Sequence, residues 1–537
     1  MHAPPAKTSR PGAIAVSTGD LAAELGATLL GAADAHVIGV QQDSRRLIPG
    51  ELFVALEGGR EDGTRFAPAA IERGATALLT ARGRGAELAA LGVPVLEVVE
   101  PRAAMARAAA VIYRHPTREL AVVGITGTNG KTTTAHLVAA AIDACGGRAG
   151  IVGTLGHRFE GALLGEGHTS PEADELQRVA GEMRSRGASH LVMEVSSIAV
   201  SAGRIAEVAF RVAAFTNLTQ DHLDYHGSMA AYAAAKDALF APSEGARHAP
   251  PRVSVINVDD AHGAALAERL VATGATVLRY SIDASASAEL KPASLTVSTE
   301  GIAIVLADSG HTLRSPLVGA HNASNLMCAI AVARALGLDE ATALAGLGAV
   351  PGVAGRLERC DAAAEDDLVA VVDYAHTPDA LVRVLASVRG LTKGRLWCVF
   401  GCGGDRDPDK RPLMGEAVAR AADAILVTND NPRSEVPEEI ARAVVAGLDR
   451  AGALGRYRVE LDRKRAIETA VREASAGDVV LVAGKGHEPY QIVGANVLAF
   501  DDREVLKSAL AARREQATGR TLAEAARAPT PKGDAVT

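Results

Sequence analysis

The 537-residue sequence predicts a three-domain α/β protein: an N-terminal α/β domain, a central parallel-sheet domain of phosphate-loop type, and a C-terminal Rossmann-like α/β domain. Three observations predict it. Short apolar runs alternate with Ala-rich helical stretches, and several runs open into glycines and polar groups at their C-terminal ends, as strands of an open parallel sheet do. The chain is too long for one hydrophobic core and suits about three domains. Prolines at His115-Pro116-Thr117 and Val350-Pro351-Gly352 break the pattern where new apolar runs begin. The expected domains are residues 1–115 (1–16 flexible), 116–345 and 346–515, with a disordered tail over 516–537.

Composition excludes several classes. Hydrophobic residues make up 48% of the chain and aromatics 3%, which predicts aliphatic, helix-rich cores. A formal charge of −8 with no long basic block argues against nucleic-acid binding. Five scattered cysteines, Cys145, Cys328, Cys360, Cys398 and Cys402, fit a reducing compartment, and the Cys398/Cys402 spacing finds no second pair to complete a zinc site. Met1 to Val16 lacks the apolar core of a signal peptide, and no run approaches the roughly 20 apolar residues of a membrane span. A soluble, cytoplasmic protein is expected.

In the first domain, Leu52 to Leu56 and Ala77 to Leu79 read as strands. Asp43-Ser44-Arg45-Arg46 and Gly58-Gly59-Arg60-Glu61-Asp62-Gly63 read as loops between elements. Each reads as a solvated loop on its own. Both also offer hydroxyls, backbone N–H groups and arginines suited to a nucleotide-sugar or its pyrophosphate.

The second domain opens with the strand Leu120 to Ile125, the loop Thr126-Gly127-Thr128-Asn129-Gly130-Lys131-Thr132-Thr133 and a helix over Ala135 to Cys145. Glycines let backbone N–H groups approach an anion, the helix aims its N-terminus at it, the lysine adds charge, and a hydroxyl can ligate magnesium. The usual phosphate-loop spacing is not met, because Ile125 stands five before Gly130 and Gly124 lies one residue too early.

His190 to Ser197 reads as a buried strand carrying Glu194 near its C-terminal end. A charge there requires a partner: a structural salt bridge, or a magnesium ion beside the phosphate loop. The strand Val212 to Thr216 opens into Asn217-Leu218-Thr219-Gln220-Asp221-His222-Leu223-Asp224-Tyr225-His226-Gly227, where two histidines and two aspartates crowd one loop. Tyr232 to Asp237 reads as a helix presenting Lys236, which by itself is an ordinary exposed lysine.

Taken in order, T-G-T-N-G-K-T-T, E-V-S-S, N-L-T-Q-D-H-L-D-Y-H-G and the Lys236 helix resemble the Mur ligases, ATP-dependent amino-acid-adding enzymes of peptidoglycan precursor synthesis. The resemblance implies a UDP-substrate-binding first domain, an ATP- and Mg2+-binding central domain and an amino-acid-binding third domain. It implies catalytic roles for Lys131, Glu194, His222 and Lys236, the last carbamylated so that it helps to hold magnesium with Thr132, Glu194 and His222. ATP would be held by Gly127 to Thr133, with Asn322 and Asn325 at the base, Arg356 at phosphate and Asp373 at the ribose; Asn322 and Asn325 also read as helix caps, and Arg356 as a surface salt bridge. The UDP-substrate would meet Ser44, Gly59, Arg60, Glu61, Thr169, Ser170, Ser196 and Arg204.

Three strand-to-loop transitions follow in the third domain: Leu396 to Phe400 into Gly401 to Asp407, Ala424 to Val427 into Asn429 to Arg433, and Val479 to Val482 into Gly484 to Glu488. Asp430-Asn431-Pro432-Arg433 resembles the motif of the meso-diaminopimelate-adding branch. Diaminopimelate differs from lysine by a second carboxylate, and an arginine fork reads a carboxylate through two parallel hydrogen bonds. By that resemblance Arg411, Asp430, Asn431, Pro432, Arg433, Gly484 and Glu488 line the pocket, Glu488 accepting from the ammonium group.

The implied reaction joins meso-diaminopimelate to UDP-N-acetylmuramoyl-L-alanyl-D-glutamate through an acyl phosphate, at the expense of ATP, in a monomer. Ile198 and Ala202 stand where relatives carry histidine and glutamine, and Ser170 replaces a threonine, so the peptide-side contacts differ from the family pattern. The competing readings are a lysine-adding ligase, a folylpolyglutamate synthase-like ligase and a nucleotide-sensing protein without ligase activity.

Overall fold

The computed structural model describes residues 10–527 except 58–60, 244, 299, 362, 364 and 391. Gly59 and Arg60 lie outside the described residues. Two compact units are present, one of residues up to 296, 303–315 and 322–350, the other of 297–302, 316–321 and 351 onward.

Two larger sheets organise the first unit, beside a two-stranded and a three-stranded one. The smaller comprises β1 (Thr28–Leu30), β2 (Val40–Gln41), β3 (Leu52–Val54), β4 (Ala77–Ala81) and β5 (Val95–Val98), in the order β1-β5-β4-β3-β2. All its pairs are parallel except β1 with β5. Its aliphatic face packs on the Ala-rich helix α1 (Pro101–Ile112), which buries Met105, Ala108, Ala109 and Ile112.

The larger sheet is built from β6 (Ala121–Thr126), followed by α2 (Lys131–Ala144), β7 (Ala149–Gly153), β8 (Gly156–Phe159), β9 (Ala162–Gly165), α3 (Ala173–Ser185), β10 (His190–Glu194), β11 (Phe210–Phe215), α4 (Met229–Asp237), β12 (Val253–Asn257) and β13 (Val277–Tyr280). The strand order is β9-β8-β7-β10-β6-β11-β12-β13, with β8 antiparallel to both neighbours and the remaining pairs parallel. The central strands are covered on both faces, which is why they read as continuous apolar runs. Register sets Glu194 opposite Ile125 and Phe215 opposite Thr126, so β10, β6 and β11 end level. Everything that follows those three strands therefore emerges at one sheet edge. The helix α5 (Ala320–Leu336) carries a nearly unbroken buried face from Asn322 to Ala333.

The second unit is a doubly wound sheet of β14 (Glu358–Arg359), β15 (Val369–Asp373), β16 (Leu396–Phe400), β17 (Ala424–Val427), β18 (Tyr457–Val459) and β19 (Val479–Ala483), in the order β14-β15-β19-β16-β17-β18. Only β14 runs antiparallel. Val371, Cys398, Ile425 and Leu481 face one core, and Val372, Trp397, Leu426 and Val482 the other. At about 1.5–3 kcal/mol for each large aliphatic side chain, these two faces dominate the unit's stability. A hairpin, β20 (Tyr490–Val493) with β21 (Asn496–Ala499), leads to α6 (Asp502–Arg527). That helix buries Leu506 and Leu510 and continues through Arg527, past the point where a tail was expected to begin. Its Arg- and Ala-rich composition has high helix propensity, and the helix is already nucleated on the core.

Among the described residues no helix is long and apolar enough to cross a membrane. Cys398 is buried in the sheet, and Cys402 Sγ lies 3.4 Å from Met414 Sδ.

Candidate active site

The phosphate loop is held from behind by the loop after β11. Thr128 N–H donates to Asn217 O at 2.8 Å and Asn129 N–H to Asn217 Oδ1 at 2.9 Å, while Thr216 Oγ1 donates to Asn129 O at 2.6 Å. Thr128 Oγ1 reaches Thr219 O and the Tyr232 hydroxyl, each at 3.1 Å. Gly127 has φ 142° and any Cβ there would run into Thr216 Oγ1, so the tight approach requires glycine. Gly130, at φ 87°, starts α2, and the space a side chain would take is filled by the Asn325 carboxamide. Lys131 Nζ folds back onto the carbonyls of Gly127 and Thr128 at 2.9 and 2.8 Å. Thr132 and Thr133 are buried in the first turn of α2.

Glu194 is 1% exposed, and its carboxylate meets hydroxyls and an amide. Thr132 Oγ1 donates to Oε2 at 2.9 Å, Thr154 N–H to Oε1 at 2.8 Å and Thr154 Oγ1 to Oε2 at 3.2 Å. Among the described residues no lysine or arginine pairs with it, which sets aside the salt-bridge reading. Hydroxyl and carboxylate oxygens side by side form a hard donor set of the kind magnesium takes. Lys236, rather than being exposed, is 1% accessible: Nζ donates to Gly127 O at 2.9 Å and lies 4.4 Å from the Tyr232 ring centre. Burial, and next the charge of Lys131, push its pKa well below the ordinary lysine value. His222 sits in the left-handed region at φ 52°, half exposed, with Nε2 3.4 Å from Asp221 Oδ2 and its ring 6.1 Å from that of Tyr232. His226 instead pairs with Ser197 Oγ at 2.9 Å.

Thr169, Ser170, Ser196 and Arg204 assemble around the end of β10. Ser170 Oγ donates to Glu194 O at 2.8 Å and accepts from Ser196 N–H at 3.0 Å; Arg204 donates to Ser170 O at 3.2 Å and pairs with Glu172 at 2.9 Å. Thr169 Oγ1 is 3.0 Å from Thr154 Oγ1. Ser44 is half-buried in the turn between β2 and β3, beside Arg46, which pairs with Glu175 of α3 at 3.1 Å; Glu61 is exposed. Asn322 and Asn325 do not cap their helix. Ala320 already begins it, so both asparagines lie inside the first turns, joined by Asn325 Nδ2 donating to Asn322 Oδ1 at 3.0 Å.

In the second unit β15, β19, β16 and β17 lie side by side and release their loops at one edge. Asp373, at the end of β15, accepts from the N–H groups of Leu357 and Ala375, and burial raises its pKa against the pull of Arg356. The half-buried Arg356 guanidinium stacks 4.6 Å from the Tyr374 ring, and His487 lies against the same ring at 5.3 Å. After β17, Asn431 Nδ2 donates to Glu488 Oε2 at 2.9 Å. Arg433, at φ 51°, donates through Nη1 to Gly404 O at 2.6 Å, and its backbone is clamped by Ile492 and Gly494. Gly484, at φ 119°, packs against Asp430, and Pro432 lies under Gly404. Arg411 is buried and pairs with Glu435 at 2.8 Å, which holds the Glu435 carboxyl below its usual range.

Three contributors went unassigned in the sequence. Thr154 supplies two of the donors to Glu194. Lys485, 0% exposed, lies between Asp430, Asn431 and Glu488. Arg463 is also fully buried; it forks onto Asp502 at 2.7 Å and donates to Asn429 O and Ala483 O, tying together the backbones that enter both loops. The one available signal was a lysine inside G-K-G-H-E; Arg463 and Thr154 lie in unremarkable sequence.

The chain is similar to known proteins. Residues 36–113 match the Mur ligase family, catalytic domain; 125–333 the Mur ligase middle domain; and 355–486 the Mur ligase, glutamate ligase domain. A UDP-N-acetylmuramoyl-L-alanyl-D-glutamate--2,6-diaminopimelate ligase of Gloeobacter violaceus is 44% identical over 90% of this chain and 96% of its own. A solved structure of a ligase of that name superposes with TM-score 0.64 at 33% identity, covering 93% of this chain and 99% of that one. Folylpolyglutamate synthase of Mycobacterium tuberculosis shares the fold at TM-score 0.55 and 21% identity, over 76% of this chain and 94% of its own. With three domain matches in sequence order and that identity over nearly the whole length, the chain belongs to the Mur ligase family.

Proposed function

We propose that the protein is the ATP-dependent ligase that adds meso-2,6-diaminopimelate to UDP-N-acetylmuramoyl-L-alanyl-D-glutamate. The observation that carries this reading is the hydrogen bond between Asn431 and Glu488, which brings a carboxylate and the Asp430-to-Arg433 turn to one edge of the sheet. Arg433 supplies a guanidinium for the substrate's distal carboxylate and Glu488 an acceptor for its distal ammonium. The relatives that carry this name cover the chain almost end to end.

A carboxylate is a poor electrophile, so the reaction begins with activation. The γ-carboxylate oxygen of the D-glutamyl residue attacks the γ-phosphorus of ATP, the bond to the bridging oxygen breaks, and ADP leaves an acyl phosphate. The amine of diaminopimelate attacks the acyl carbon, loses a proton, and the tetrahedral intermediate expels phosphate. The loop amides from Gly127 to Thr133 and the ammonium of Lys131 hold the phosphates and offset their charge. Asn322 and Asn325 serve the base, Asp373 the ribose and Arg356 the transferring phosphoryl group. Ser44, Thr169, Ser170, Ser196 and Arg204 hold the UDP-substrate.

Magnesium, when bound, would neutralise phosphate oxygens and polarise the γ-phosphorus. Thr132 and Glu194 offer oxygen donors for it, with His222 at a second position. Lys236 fits a carbamate: its depressed pKa favours the neutral amine, whose nitrogen adds to carbon dioxide and loses a proton, leaving an anionic ligand for the same region. We assign the enzyme to the cytoplasm.

Phosphate release measured with the UDP-dipeptide and ATP, varying meso-diaminopimelate against L-lysine, tests the reading. Turnover restricted to meso-diaminopimelate is expected, and Arg433→Lys should raise its KM about a hundredfold with little change in the KM for ATP. Equal turnover with lysine would overturn the specificity, and no turnover with either the ligase assignment.

A further inference from the structure

The pocket contains a buried cation that neither the substrate nor the phosphate chemistry assigns. Lys485 is completely inaccessible; its Nζ donates to Asn431 Oδ1 at 3.1 Å and to Glu488 Oε2 at 3.2 Å and lies 3.8 Å from Asp430 Oδ1. Asn431 is locked by this arrangement. Its Oδ1 takes Lys485 Nζ and Ile492 N–H, which turns Nδ2 toward Glu488 Oε2. One oxygen of Glu488 is thus occupied by two protein donors, and among the described residues Oε1 has none.

The charges close on themselves. Arg463 is cancelled by Asp502, and Arg411 by Glu435. The exposed Asp405 and Arg406 beside Arg433 offset each other, and what remains off the surface is two carboxylates, Asp430 and Glu488, and two cations, Lys485 and Arg433. A neutral pocket with separated poles matches a substrate end that carries one ammonium and one carboxylate. With Lys485 uncharged, the same pocket would be net negative and would match a lone ammonium.

We propose that Lys485 is a positioning and specificity-determining residue: its ammonium balances Asp430 and Glu488 and aims Glu488 Oε1, so that the pocket takes a zwitterionic amino-acid end in preference to a monocationic one. This rests on the reading of the pocket as the diaminopimelate site.

The test is steady-state phosphate release by the full-length enzyme with meso-diaminopimelate and with L-lysine, for wild type, Lys485→Met and the double variant Lys485→Met/Glu488→Gln. For Lys485→Met, kcat/KM with meso-diaminopimelate should fall about a hundredfold, mainly through KM, while that with L-lysine falls far less or rises. The ratio of the two should narrow at least about tenfold, with the KM for ATP within about twofold of wild type. The double variant removes the excess negative charge and should move the ratio back toward wild type at low overall affinity. A parallel loss with both amino acids, or a matching rise in the KM for ATP, would show a structural role only and overturn the proposal. If Lys485→Met does not fold, Lys485→Gln, which keeps a donor without the charge, must show the same narrowing. A wild-type enzyme inactive with meso-diaminopimelate would overturn the functional reading together with this inference; an active one whose variants keep their discrimination would overturn this inference alone.

Discussion

The phosphate-loop region and the proposed amino-acid pocket both bury ions at the C-terminal edge of a parallel sheet, yet they hold them differently. Around the phosphate loop the partners are neutral dipoles: Glu194 takes two hydroxyls and an amide, and Lys236 rests on a carbonyl and an aromatic face. In the pocket the partners are opposite charges, Lys485 with Glu488, Arg463 with Asp502, Arg411 with Glu435. Dipoles satisfy hydrogen bonds without cancelling charge, so the first region presents net fields to an incoming polyanion or cation. Paired charges cancel at long range and leave only a local pattern, which is what discriminates between substrates of similar size.

The comparison breaks first at Glu194. Glu194→Gln keeps the size and one acceptor but removes the anion, and should lower kcat by about a thousandfold, the scale of losing one preorganised electrostatic contact to transferred charge. Thermal stability should change little, since among the described residues the carboxylate has no cationic partner to strand. Activity within about tenfold of wild type would show that the hydroxyl-lined carboxylate is structural.

The opposite balance is expected at Arg463. Both members of its pair are inaccessible, so Arg463→Met leaves the Asp502 carboxylate buried without its counter-ion and should destabilise the protein by about 3–5 kcal/mol. Arg463→Met/Asp502→Leu should recover most of that loss. Chemical denaturation of the three proteins reads this directly; additive losses in the double variant would mean that the pair's worth lies in the backbone contacts to Asn429 and Ala483 and not in its charges.

Much of this division is legible in the sequence because charge inside an apolar run is conspicuous. Glu194 ends a buried strand, the phosphate loop breaks one, and each transition in the second unit places polar groups, in two of the three cases with glycines, after four or five apolar residues. What periodicity does not carry is strand order. Asn431 and Glu488 are distant in sequence and meet because β19 and β17 flank β16, and Lys485, whose partner Glu488 is local, acquires Asp430 and Asn431 through that adjacency. Lys236 looks like a surface lysine on an Ala-rich helix, since α4 offers too little amphipathic pattern to say which side is covered. Asn322 and Asn325 resemble caps because asparagine is common there, but the helix begins at Ala320, before either of them. The C-terminal stretch shows the same limit from the other side: Arg and Ala suit a solvated tail and an extended helix equally, and the helix anchored by Leu506 and Leu510 runs on through Arg527.

The smallest effect sharpens the comparison most, because it separates stability from function at one residue. Lys236 has a folded-state pKa depressed well below 10.5, chiefly by burial and secondly by Lys131. Between the folded value and 10.5 the unfolded chain binds more protons at this site than the native protein, so native stability rises with pH across that window. Put the other way, the burden of burying Lys236 is full below the folded pKa and vanishes as pH approaches 10.5. Lys236→Met, in buffer depleted of carbon dioxide, should therefore gain about 1–2 kcal/mol at pH 7, the gain shrinking as pH is raised, while ligase activity is lost. Denaturation midpoints at pH 7 and pH 9.5 decide it. A variant no more stable than wild type at pH 7 would show that the Gly127 carbonyl and the Tyr232 ring already compensate the buried amine, and the field of the phosphate-loop region would then be closed on itself as the pocket is.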